Sequence, residues 1–60
     1  MEEGNFVMDL NKNVFVVFGM KDHDNVRVHN LANGEVKVVE KDELVVVEFK
    51  DVKHLVFGVL

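Results

Sequence analysis

Three histidines (His23, His29 and His54), seven Lys and Arg and eleven Asp and Glu are the side chains of this 60-residue chain able to move a proton, bind a metal or attack an electrophile. Ser, Thr, Cys and Tyr are absent, so no hydroxyl or thiol nucleophile, and no triad built on one, can be assembled. The lack of Cys also closes the disulfide and thiolate-zinc routes to stability. Work by two carboxylates needs one of them shielded from water. Every Asp and Glu except Asp9 and Glu48 falls in a turn or at an outward strand position, where water solvates it. The sequence therefore predicts a protein that is not an enzyme.

Metal and cofactor chemistry fare no better. His23, between Asp22 and Asp24, is the one local cluster with ligand chemistry, but Asp22-x-Asp24 departs from the calcium-loop pattern at Val26 and has no Gly after it. A turn with solvated side chains is expected there, and no metal. His54 interrupts an apolar run and is expected to be partly buried and hydrogen bonded. Gly4, Gly19, Gly34 and Gly58 are isolated, so no phosphate-cradling loop can be written and no cofactor is expected. Lys41-Asp42-Glu43-Leu44 spells a retention signal that receptors read only at a free C-terminus. Hydroxyl phosphorylation and N-glycosylation are excluded by the missing Ser, Thr and Tyr.

Arg27, His29 and Lys37, with Lys12 nearby, form a candidate basic stripe for nucleic-acid contact. A net charge of −4 opposes it, setting the long-range field against polyanions and making nucleic acid and acidic membrane disfavoured partners. The five Phe residues all lie in apolar runs, where core packing accounts for them, and none interleaves with the stripe. The longest apolar runs are far shorter than a membrane span, and the acidic start at Glu2 and Glu3 is unlike a secretory leader. These features place the chain in the cytoplasm of the cell that expresses it.

The elements that must position these groups are written in twelve residue types; Gln, Ile, Trp and Pro are missing besides the hydroxyl and thiol residues. So narrow an alphabet reads as a simplified or designed sequence, a hypothesis that an intact natural gene of this composition would contradict. The apolar content is weighted to Val and Phe, types suited to a pleated surface. Polar clusters cut the chain into six short runs. These are Asn5 to Leu10, Val14 to Met20, Asn25 to Leu31, Glu35 to Glu40, Leu44 or Val45 to Phe49, and Val52 to Leu60. Asn11 and Asn13 suit a left-handed hairpin corner. Val14–Met20 is apolar on both faces and belongs in the interior of a sheet. A three-residue loop with Gly34 left-handed would pair Val28 with Val38 and turn Arg27, His29 and Lys37 outward together. Lys41–Leu44 suits one 3₁₀ turn with Leu44 under the sheet.

The expected core draws on Phe6, Val14, Val16, Phe18, Val26, Val28, Val36, Val38, Val45, Val47, Phe49, Leu55 and Phe57. The last run must close a barrel or pair with another copy, which makes Val52, His54, Leu55, Val56, Phe57, Val59 and Leu60 a candidate self-association strand.

Gly4–Val7, Asn13–Val17, Asn25–Val36 and Lys41–Leu44 together follow a rhythm of strands, glycine hairpin and 3₁₀ turn that resembles the small SH3-like barrels. The resemblance covers Gly4 to Phe49 and implies an all-β barrel of five to six short strands in one domain spanning residues 1–60. The Tyr, Trp and Pro residues that line the peptide-binding surface of signalling members have no counterpart here. The final run extends beyond the five-strand plan and leaves a six-stranded barrel, an oligonucleotide-binding-type barrel or a dimer open.

The expected role is that of a non-catalytic scaffold made to fold, associating with itself. A natural acidic adaptor for a protein partner and a nucleic-acid-binding barrel are the alternatives.

Overall fold

The computed structural model describes residues 1–57. Five strands run as β1 (Phe6–Met8), β2 (Val14–Met20), β3 (Asn25–Asn30), β4 (Val36–Glu40) and β5 (Val45–Val47). A 3₁₀ turn, Lys41–Glu43, precedes β5, and a helix, α1 (Phe49–Phe57), follows it. All pairings are antiparallel, and the strands lie in the order β4-β3-β2-β1-β5. The doubly apolar β2 takes the middle of the sheet, as its pattern requires. β4 and β5 are the two ends and do not pair, so the sheet is open and does not close into a barrel.

One face of the sheet, the inner one, holds the main core of Val7, Phe15, Val17, Val26, Val28 and Leu44. Leu44 enters it because the 3₁₀ turn, closed by the Leu44 N–H on the Lys41 carbonyl at 3.0 Å, brings the chain back under the sheet. In the first two strands this core uses the opposite parity from the expected one: Val7, Phe15 and Val17 point inward, whereas Phe6 and Val16, paired with each other, lie on the outer face. A strand apolar on both sides carries no alternation from which to choose.

The last element corrects the sequence reading. Val52, His54, Leu55, Val56 and Phe57 belong to helix α1, not to a sixth strand; Val59 and Leu60 lie outside the described residues. The helical spacing is present in the sequence, since Phe49 and Val52 stand three apart while Lys50, Asp51 and His54 turn away from them and Lys53 flanks the apolar face. Asp51 in the first turn also suits the positive end of the helix. The helix lies against β2. Phe49 meets Phe6 of β1 with ring centroids 5.0 Å apart, and Val14 and Val52 are buried outside the main cluster. α1 therefore covers the β1–β2 end of the outer face and makes a second, smaller core there.

Candidate functional site

The hairpin between β3 and β4 decides which side chains share a face. Asn30, buried at the end of β3, accepts hydrogen bonds on Oδ1 from the N–H groups of Ala32 (2.8 Å) and Asn33 (3.3 Å), while Asn33 Oδ1 accepts from the Glu35 N–H at 2.8 Å. Gly34 is left-handed at φ 78°, and its N–H reaches the Asn30 carbonyl at 2.8 Å. The loop is thus Leu31 to Gly34, one residue longer than the three-residue loop expected. Val28 pairs with Lys37 instead of Val38, and His29 pairs with Val36.

One residue of slip turns a strand over. Val36 and Val38, expected in the core, stand on the outer face at 59% and 45% exposure, opposite His29 and Arg27. Lys37 goes to the inner side, where its Nζ lies 5.1 Å from the centroid of the buried Phe15 ring and 3.7 Å from Glu35. Arg27 and His29 remain on the outer face, but Lys37 does not join them, so the three residues form no common stripe. Phe18 also leaves the core: the β2–β3 register shifts between Val17 and Gly19, and Phe18 is the extra residue of that bulge, 44% exposed. The β3–β4 end of the outer face, uncovered by α1, consequently presents Phe18, Val36 and Val38 beside Arg27 and His29. The residue that carries the signal for this surface is Asn30, whose side chain closes the loop on Ala32 and Asn33.

In the candidate self-association segment, Val52 is buried beneath α1 while His54 and Leu55 are exposed. His54 is a solvated helix residue, not a partly buried one. Strand pairing through this segment is replaced by helix docking.

Elsewhere the polar side chains organise turns. The Asp22 carboxylate accepts from the Asp24 and Asn25 N–H groups at 2.9 and 3.0 Å and from Asn25 Nδ2. The Asp24 bond is the main reason that the Asp22 carboxyl titrates below the ordinary range. Asp9 does the same work at the first hairpin, accepting from the Asn11 and Asn13 N–H groups, both at 2.9 Å, and from Asn13 Nδ2 at 3.1 Å. Desolvation by burial pulls its pKa up, but these bonds and the Lys37 charge outweigh it and hold the carboxyl below its usual value. Lys12, not Asn11 or Asn13, takes the left-handed corner at φ 65°. The two Asn residues serve as donors instead.

Among the described residues, no three or more His, Cys, Asp or Glu side chains converge as a metal would require. A depression of about 140 Å³ is lined by Asp9, Leu10, Asn11 and Glu43, below the range of roughly 300–1,000 Å³ typical of ligand pockets. No described helix is long and apolar enough to cross a membrane. In comparison with known proteins, the chain matches no family model, no curated protein and no solved structure.

Proposed function

We propose that the chain is a non-catalytic β-sheet scaffold, of designed or reduced-alphabet origin, whose binding activity is association with further copies of itself. The observation that carries this reading is the uncovered outer face, where Phe18, Val36 and Val38 stay in water although the sheet has apolar surface to bury. Supporting it, Asp9 and Asp22, two of the side chains that could do chemistry, are spent on hairpin corners, where they bond to main-chain N–H groups as Asn30 and Asn33 also do. The twelve-letter alphabet supports the designed origin. The meander from β1 to β4, the 3₁₀ turn and the return of β5 to β1 support grouping the fold with the SH3-like small barrels, in an open form.

Sedimentation velocity from micromolar to millimolar concentration tests the reading. A sedimentation coefficient that rises with concentration, and rises less in Phe18→Asp, is expected. A monomer at every concentration overturns it.

A further inference from the structure

We infer that a second copy of the chain adds to the sheet at β4, antiparallel, about a two-fold axis through Val38. This rests on the self-association reading above and names the surface and the register.

β4 is an end strand, and the hydrogen bonds that flank it show which of its residues it commits to β3. The Asn30 N–H reaches the Glu35 carbonyl at 2.7 Å, and the Lys41 N–H reaches the Asp24 carbonyl at 2.8 Å. Antiparallel pairs alternate between bonded and non-bonded positions, so Glu35, Lys37, Val39 and Lys41 direct their main chain toward β3. Val36, Val38 and Glu40 direct theirs to the free edge. Natural edges are guarded by Pro, by bulges or by charged side chains, those that point inward included. β4 has no Pro and no bulge; its one inward guard, Lys37, is already engaged over Phe15 and by Glu35, so the register of the approaching strand decides whether that charge blocks pairing. β5, the other end, is three residues long and offers a shorter template.

If the partner is another copy and the sheet is to continue with its faces matched, the two-fold axis must pass through Lys37, Val38 or Val39. Centring on Lys37 sets that ammonium against the partner's Lys37, and centring on Val39 sets it against the partner's Lys41. Centring on Val38 avoids both clashes. Lys37 then lies opposite the partner's Val39, and Glu35 lies opposite the partner's Lys41, an ion pair repeated by symmetry. This register is also the one that meets every outward N–H and C=O of Val36, Val38 and Glu40. On the outer face it joins the two apolar surfaces through the adjoining Val38 side chains.

The experiment combines sedimentation equilibrium with amide exchange on the full chain. Raising the concentration should slow exchange at Val36, Val38 and Glu40 while leaving the Lys37 and Val39 amides, already bonded within the sheet, unchanged. Val38→Pro removes an N–H that the monomer does not use, at an edge position where Pro is tolerated. It should weaken the dimer by at least about tenfold while keeping the strand circular dichroism. Charge variants provide a route independent of how that Pro variant folds. Glu35→Lys and Lys41→Glu should each weaken association by about five- to tenfold, and the double exchange should restore it. Association that survives in folded Val38→Pro, or charge variants without mutual rescue, overturns the β4 register while leaving self-association standing. A strictly monomeric parent overturns both.

Discussion

The Lys37 ammonium stands 5.1 Å from the centroid of the Phe15 ring, which is itself fully buried. A cation on the rim of a core is held there by the hairpin register, which places Lys37 opposite Val28 on the inner face. Its aliphatic stem covers apolar surface while the charge reaches solvent, Glu35 and the field of Asp9. Lys37→Gln is expected to lower stability by about 0.5–1 kcal/mol, the size of a solvent-exposed cation–π contact. In a Phe15→Leu background the same substitution should cost less. Urea unfolding of the four proteins of this cycle measures the difference, and equal losses in both backgrounds would remove the ring from the account.

Two hairpin corners should respond in opposite directions. Lys12 holds a left-handed φ of 65° with a side chain that favours the other hand, so Lys12→Gly should stabilise the fold by about 0.5–1 kcal/mol. Gly34 holds φ 78° with nothing within 4 Å of where a Cβ would stand. Gly34→Ala is therefore a pure test of backbone strain, with an expected loss of about 1–2 kcal/mol. Denaturant midpoints read both changes, and a destabilising Lys12→Gly would show that the corner is relaxed.

Much of the strand layout is legible in the sequence because Asn, Asp and Gly clusters cut the chain where it turns. The bounds of β2 coincide with the apolar run Val14–Met20, and the 3₁₀ turn falls at Lys41–Glu43. Face assignment is less legible. Gly34 marks a left-handed corner in a three- or a four-residue loop alike, and the deciding interaction is the Asn30 side chain folding back on Ala32 and Asn33. That single residue of difference moves Val36 and Val38 out of the core and separates Lys37 from Arg27 and His29. The C-terminal run misleads for a related reason: in Val52–Phe57 apolar residues satisfy a period of two about as well as a period of 3.6. Helix and strand are then separated by what the segment packs against, here Phe6 and the outer side of β2.

Acid should weaken the fold through Asp9 and Asp22. Both carboxyls titrate lower in the folded chain than the ordinary aspartate value of 3.8. Their stabilising contribution is therefore complete above that value and is lost as pH falls through the lower folded-state pKa. Asn13→Ala removes the Nδ2 bond to Asp9 and leaves the backbone one, and Asn25→Ala removes the Nδ2 group that bonds both Asp22 oxygens. Each variant should be less stable than the parent near neutral pH, with the gap closing toward roughly pH 2, where the carboxyls are protonated in both states. Urea midpoints across this range measure the gap. A gap independent of pH would mean that the Asn side chains act through packing alone.

Helix α1 and a strand over the same residues make different demands on Val52 and His54. In a strand the two, separated by one residue, share a face and would be buried or exposed together. In α1 they are turned well apart: Val52 is buried at 4% exposure and His54 is in water. Val52→Ala should accordingly cost about 2 kcal/mol, the combined transfer and cavity terms for the lost methyl groups. His54→Ala should change stability by less than about 0.5 kcal/mol. Thermal or urea unfolding followed by circular dichroism measures both substitutions. Matching losses at the two positions would return this segment to the sheet and, with it, uncover the outer face of β1 and β2 that α1 now closes.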